Sequence, residues 1–258
     1  PARPVGRQPS DLLVRGVPAV RRIGHKGADL IAPGNTFASF EAALVAGVDM
    51  IEFDVLPEHS DGTGELLLSH DYRDARSRTP HTLDEGLEHF RGEGYGAIDL
   101  DVDLKLPGYE ERVVTALQRH GLATRALLST MERSSLRLLR ARHPEVRLGW
   151  SVPRLRRNPF DSTRTVVPAY VGLQVLRRAL PHMARRAIAG GEVDALMANH
   201  HLVTPRLADA VRAAGGELYA WTVDDADRIA WLERLGVAGV ITNDPRLFAP
   251  RDALPGVT

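Results

Sequence analysis

The sequence contains no cysteine, which excludes disulfide staples, thiolate nucleophiles and cysteine-ligated zinc. Neither sign of charge is in surplus: Lys plus Arg and Asp plus Glu both number 33, for a formal net charge of zero. That removes the basic excess typical of a nucleic-acid binder, and no nucleic-acid partner is expected. No apolar run reaches the roughly 20 residues that cross a bilayer, so no transmembrane segment is expected and the chain as given reads as soluble. Zero cysteines fit any compartment, and a first residue other than Met is compatible with a removed leader, so cytoplasm and export both stay open. A Gly-rich phosphate loop is missing, as are His-x-His and His-Glu-x-x-His patterns. These gaps count against P-loop, amidohydrolase and zincin chemistry.

A hydrophobic content of 43% over 258 residues fills a substantial core and argues against disorder. From Val20 onward, short apolar runs alternate with helix-length amphipathic segments, the pattern of a parallel α/β domain. Strands are predicted near 20–24, 49–55, 65–69, 97–104, 125–129, 146–151, 193–197, 217–223 and 238–242. That is one run more than an eight-stranded barrel holds, and the Asp61-Gly62 turn assigns the extra one to a hairpin. The expected fold is α/β, a single-domain (β/α)8 TIM-type barrel over residues 18–249. A polar, proline-bearing arm (1–17) precedes it and a short tail (250–258) follows.

Helix ends are legible. Asn35 can cap a helix carrying Phe37, Phe40 and Leu44, while Thr82 with Glu85 and Ser129 with Glu132 read as capping boxes. Thr204-Pro205 sets a cap before a first-turn proline, and Gly121 and Gly215 fall at C-terminal stops. Residues 152–168 are basic and proline-broken and read as a loop. Residues 169–189 read as a basic amphipathic helix interrupted by Pro181. Both could touch anionic headgroups in a peripheral membrane contact, but balanced charge favours a solvated loop and an outer helix.

Two strands carry acids where a barrel interior should lie. Ile51-Glu52-Phe53-Asp54-Val55 alternates apolar residues with two carboxylates, and Ile98-Asp99-Leu100-Asp101-Val102-Asp103-Leu104-Lys105 does so with three and a lysine. Side chains alternate faces along a strand, so each has one wholly apolar and one wholly charged face. In a barrel the apolar face meets the outer helices, and Glu52, Asp54 and Asp103 crowd the mouth. Unpaired, they would cost several kcal/mol per ion; one divalent cation with oxygen preference, Mg²⁺ or Ca²⁺, removes that cost. Half-polar strands are ordinary in antiparallel sheets, but two of them in a parallel chain favour a metal site. Asp99 and Asp101 stay ambiguous, Asp101 either pairing with Lys105 or lying deeper in the barrel.

Two histidines close strands, in Ile23-Gly24-His25-Lys26-Gly27 and Leu67-Leu68-Ser69-His70-Asp71. With Pro33-Gly34-Asn35-Thr36, Glu52-Phe53-Asp54, Asp103-Leu104-Lys105 and Trp221-Thr222-Val223-Asp224, the ordered set resembles the glycerophosphodiester phosphodiesterase family over about residues 20–245. The resemblance implies hydrolysis of a small-molecule glycerophosphodiester, or a lysophospholipid-like substrate, to glycerol 3-phosphate and an alcohol. It implies Glu52, Asp54 and Asp103 as metal ligands, His25 and His70 as acid–base pair, and Lys26, Lys105 and Trp221 as substrate contacts. Imidazoles titrating near neutrality suit proton transfer to and from oxygen.

The sequence departs from the family pattern at four points. Lys26 stands for arginine, giving up a bidentate phosphate fork. Gly34 stands for a glutamate, Asp103 for a glutamate one methylene longer, and Asp224 for an asparagine. Asp-Leu-Lys also resembles the spider-toxin type phospholipase D relatives, so a lyase giving a cyclic phosphate is one alternative. A barrel that binds a phosphorylated ligand without cleaving it is another. The pair His200-His201 reads as surface loop, its neighbours in sequence pointing apart. His59, His81, His89, His120, His143 and His182 read as surface residues without ligand partners.

Overall fold

The computed structural model describes residues 19–154 and 163–248. The arm over 1–17, the tail over 250–258 and residues 155–162 of the expected basic loop lie outside them. The chain runs β1 (Arg21–Gly24), α1 (Phe37–Val45), β2 (Met50–Pro57), β3 (Leu66–Leu68), α2 (Tyr72–Ser77), α3 (Leu83–His89) and β4 (Asp99–Leu104). It continues with α4 (Glu110–Arg119), β5 (Ala126–Thr130), α5 (Arg133–Arg142), β6 (Arg147–Val152), α6 (Thr163–Ala189) and β7 (Ala195–Asn199). Then come α7 (Pro205–Ala213), β8 (Glu217–Trp221), α8 (Ala226–Leu235) and β9 (Gly239–Thr242).

Eight strands pair in parallel and close through β1, which bonds to both β9 and β2. This is the expected (β/α)8 barrel. The ninth, β3, is the antiparallel partner of β2, with Val55 opposite Leu68, as the Asp61-Gly62 turn implied.

Alternation along the strands splits the core in two. Outward residues such as Ile51, Phe53, Leu100, Val102 and Leu104 pack under the helices. Inward residues Ile23, Met50, Leu127, Met197, Tyr219 and Ile241 fill the lumen, which is therefore packed rather than hollow. At the N-terminal end the inward charges are matched. Arg21 donates to the Tyr219 hydroxyl at 2.9 Å and lies 3.7 Å from Asp99. Arg147 pairs with Glu217, to which the Tyr219 hydroxyl donates at 3.0 Å. Asp99 thus belongs to this base.

Thr82 and Glu85 form their capping box, Thr204 caps α7 ahead of Pro205, and Gly121 and Gly215 follow α4 and α7. Two caps differ from expectation. Thr36 rather than Asn35 caps α1, accepting from the Ser39 amide. Ser129 faces into the barrel from β5 and cannot reach a helix end, so α5 starts at Glu132 without a side-chain cap. The helix α6 also differs, because it begins at Thr163 and continues through Pro181. A proline deletes one helical hydrogen bond; burial of Leu180, Ala184 and Ala187 against the barrel outweighs that loss.

Tyr109, 1% exposed, ties the end of β2 to the segment after β4. Its hydroxyl donates to the Val55 carbonyl at 2.6 Å and accepts from the Lys105 amide at 2.9 Å. Tyr109→Phe leaves the two backbone groups only their direct bond of 3.2 Å to each other, and denaturant unfolding is expected to read a loss of about 0.5–1.5 kcal/mol; an unchanged midpoint would contradict this tie.

Candidate active site

The C-terminal ends of the strands form a cavity of about 200 Å³ lined by His25, Glu52, His70, Asp103, Lys105 and Trp221 among others. This is the end where barrel chemistry is placed by loop residues. Parallel pairing of β2 and β4 sets Asp54 beside Asp103 and Glu52 beside Asp101. With strands under 5 Å apart, inward carboxylates in register must meet. One ligand oxygen each from Glu52, Asp54 and Asp103 lies within 4.8 Å of the others.

Lys105 inserts its ammonium between two of them, 2.5 Å from Asp103 Oδ2 and in contact with Asp54 Oδ1. Burial would lower its pKa, but Asp103, Asp54 and Glu52 override burial and hold the ammonium charged. Burial alone would likewise push Asp54 up; Lys105, then His70 and His25, keep it below the usual carboxylate range. Glu52 is pushed well up by burial and by the charge of Asp54, and Asp103 is raised by burial despite Lys105. Asp101 lies deeper, accepts from the Ser129 hydroxyl at 2.6 Å, and is pushed by burial to about 7.

Were all three ionised, the carboxylates facing one ammonium would leave two negative charges uncompensated, and burial together with that excess holds Glu52 and Asp103 above the usual carboxylate range. Asp54 Oδ1, fully enclosed, accepts no well-directed hydrogen bond even though Lys105 touches it. An oxygen cluster with that surplus fits a hard divalent cation.

Gly24 permits the turn that carries His25: a Cβ there would lie 2.0 Å from the Gly27 carbonyl oxygen. His25 Nε2 sits 3.8 Å from Glu52 Oε2, and Nδ1 meets Asn243 Oδ1 at 2.5 Å. Burial, then Lys26, pushes the ring down to about 4, below the near-neutral titration expected of a free imidazole. His70 is half exposed at the rim, its Nδ1 3.3 Å from Asp71. Trp221 lines the cavity and anchors its indole N–H on the Met197 carbonyl at 2.8 Å.

Lys26 contributes differently from expectation. Its backbone amide donates to Glu52 at 2.8 Å, while its ammonium pairs with Asp29 at 3.2 Å. Asp29 also accepts from the Gly34 amide at 2.8 Å, and a Cβ on Gly34 would lie 2.5 Å from that carboxylate. The loop therefore carries a carboxylate at 29 where 34 has none.

Sequence reasoning missed Asn35 and Asn243. Asn35 adopts φ +58, a left-handed conformation asparagine tolerates. It clamps Asp54, donating to Oδ2 at 2.8 Å and accepting from the backbone amide at 3.0 Å.

Three readings of other histidines change, the first being His89, which stacks on Phe37 at 4.4 Å and meets the Tyr95 hydroxyl at 3.0 Å. The rings of His200 and His201 approach to 4.0 Å because they sit in a turn, where strand alternation does not apply. His120 is largely enclosed, 3.1 Å from Asp84 and 3.4 Å from Glu88.

Fold and site together define a TIM-type barrel with a metal-capable carboxylate cluster, two imidazoles and an ammonium at its mouth. The profile of the glycerophosphoryl diester phosphodiesterase family matches residues 99–247, and the chain belongs to that family. The remaining motifs lie upstream, within the span of the similar curated proteins. A glycerophosphodiester phosphodiesterase of Caldanaerobacter subterraneus is 25% identical over 86% of this chain and 93% of its own. A probable glycerophosphodiester phosphodiesterase 1 of Mycobacterium tuberculosis is 26% identical over 92% of this chain and 93% of its own. Among solved structures, one from Silicibacter pomeroyi superposes with TM-score 0.66 at 20% identity, over 89% of this chain and 92% of that one. A phosphodiesterase of Oleispira antarctica, solved with its product sn-glycerol-3-phosphate, gives 0.65 at 21%, over 88% and 94%.

Two expectations follow. Asn35→Ala strips a buried carboxylate and a buried amide of partners, and is predicted to lower stability by about 2–4 kcal/mol in urea unfolding; a shift under half a kcal/mol would contradict the clamp. His200 is held down to about 4 by burial, His201 and Arg228. Its folded value lies below the unfolded value of about 6.5, so its contribution is whole above pH 6.5 and declines as pH falls toward 4. His200→Asn should give a shallower decline of Tm between pH 6.5 and 4 than the parent; parallel curves would refute it.

Proposed function

We propose that this chain hydrolyses a glycerophosphodiester to glycerol 3-phosphate and an alcohol, with one divalent cation, Mg²⁺ or Ca²⁺. The observation that carries the reading is the surplus of buried carboxylate at the mouth of the barrel, faced by two imidazoles. Family membership and the product bound in the Oleispira antarctica structure support the same substrate class.

Glu52, Asp54 and Asp103 would hold the cation, which when bound polarises phosphoryl oxygens and spreads their charge. Lys105 supplies a fixed positive charge to a non-bridging oxygen where water is largely excluded. Lys26 reaches the phosphate once it leaves Asp29, and Trp221 offers an apolar wall to the glycerol carbons. His25 and His70 manage the two protons: one imidazole takes a proton from the attacking water, the other gives one to the departing alkoxide. His25 is enclosed and anchored, whereas His70 is open to solvent at the rim. One imidazole is thus fixed to the chain and the other free to exchange protons with water.

The test is turnover of glycerophosphocholine followed by phosphorus NMR. Glu52→Gln, Asp54→Asn and His70→Ala are each expected to lower kcat by about 10²-fold or more with the circular dichroism of the fold retained. Chelation should abolish turnover, and Mg²⁺ or Ca²⁺ should restore it. Parental activity in all three variants would end the proposal. A cyclic phosphate as final product would replace hydrolysis by the lyase reaction, and binding without turnover would leave a phospho-ligand receptor.

A further inference from the structure

We infer that Asp224 and Asn243 are positioning residues that fix the tautomer of His25, an inference that gives the acid–base reading above its orientation. Asp224 follows β8 and Asn243 follows β9, neighbouring strands of the barrel. The Asp224 carboxylate gathers three donors: the Asn243 backbone amide at 2.9 Å, the Asn243 Nδ2 at 2.6 Å and the Thr242 hydroxyl at 3.1 Å. The backbone carbonyl of Thr242 also accepts from the His25 amide at 2.8 Å, so the ring and its partner are held on one frame.

A carboxylate offers only acceptors. The side-chain amide of Asn243 must therefore turn its NH₂ toward Asp224, and the opposite orientation would set two oxygens against each other. That choice leaves Asn243 Oδ1, an acceptor, facing His25 Nδ1 at 2.5 Å. Nδ1 must then carry the proton, and in the neutral ring the lone pair falls on Nε2, the nitrogen directed at the carboxylate cluster. Aspartate stands at 224 where the family pattern has asparagine. The consequence lies two residues away: an asparagine at 224 would keep its oxygen for the backbone amide of Asn243 and turn its NH₂ to the side chain of 243, which must then present its own oxygen to 224 and its NH₂ to His25 Nδ1, moving the ring proton to Nε2.

The same logic supplies the control. Exchanging the two residues, Asp224→Asn with Asn243→Asp, rebuilds the chain of bonds in reverse polarity. The new amide donates to the new carboxylate, which accepts from His25 Nδ1 as before. Either single change breaks it, Asp224→Asn by reversing the amide of 243 and Asn243→Asp by placing two carboxylates in contact.

The experiment is ¹⁵N–¹H NMR of the full chain with labelled histidine, alongside kcat and KM on glycerophosphocholine. The parent should show a single Nδ1–H tautomer for His25. Asp224→Asn should show the Nε2–H tautomer instead and lose about tenfold or more in kcat with KM little changed, since an imidazole protonated on the wrong nitrogen affects proton transfer rather than binding. The exchanged pair should recover the Nδ1–H signal and most of the lost turnover. A single Nδ1–H tautomer in Asp224→Asn would overturn the inference, as would an exchanged pair no better than the single variants. Position 224 is at the exposed rim, so the single variant reports without a folding defect. The NMR reading does not need turnover: the expected tautomers in a chain that cleaves nothing would retire the proposed activity and leave the positioning intact.

Discussion

Lys105 between Asp54 and Asp103 is the contact on which the rest of the mouth depends. Three carboxylates brought into register on the inner faces of β2 and β4 would repel one another and lose hydration. One ammonium, in contact with Asp54 and Asp103, makes the cluster tolerable without making it neutral. The lysine in turn is held from behind: Tyr109 receives its backbone amide, and Asn35 fixes the far oxygen of Asp54. Neither supporting residue carries charge. They restrict where the charges sit, and this restriction keeps the three carboxylates grouped as a cluster that could hold a cation.

The two ends of the barrel make the point by contrast. Acids of the same kinds face inward at both. At the base Asp99 has Arg21, and Glu217 has Arg147 and the Tyr219 hydroxyl. Midway, Asp101 has a serine hydroxyl and a carboxyl pushed to about 7, which lets it shed its charge. Among the described residues, the mouth gathers three such acids around a single ammonium. A barrel selected for stability alone would match its charges at both ends, so the imbalance at one end locates the chemistry.

Most of this was legible from period and register. All nine strands fall within a few residues of their predicted places, because apolar runs between turn signals leave few alternatives. The inward direction of Glu52, Asp54 and Asp103 follows from alternation alone. What was not legible involves residues whose role is set by where the chain returns. Asn35 read as a helix cap because it precedes an amphipathic stretch, and nothing local says that Thr36 takes the cap and frees Asn35 for Asp54. Asn243 lies 218 positions from His25 in sequence, and only closure of β9 on β1 brings them together. Pro181 read as a break because local propensity was weighed without the packed face that carries α6 past it.

The choice of cation extends the argument. Of 33 basic residues only Lys26 and Lys105 are lysine, so 33 − 2 = 31 are arginine. Arginine serves well where a planar fork meets a single carboxylate in the open, as at the base of the barrel and along its helices. At the mouth a fork would bridge the carboxylates bidentately and occupy their lone pairs, filling the space a cation and a phosphate oxygen need. A compact ammonium can lie between Asp54 and Asp103 and leave the outer oxygens accessible. At 26 the exchange works the other way: a flexible point charge rests on Asp29, beside a glycine that leaves room for that carboxylate, and stays within reach of the mouth. The two lysines thus mark where the chain needs positive charge without the rigid geometry that arginine imposes.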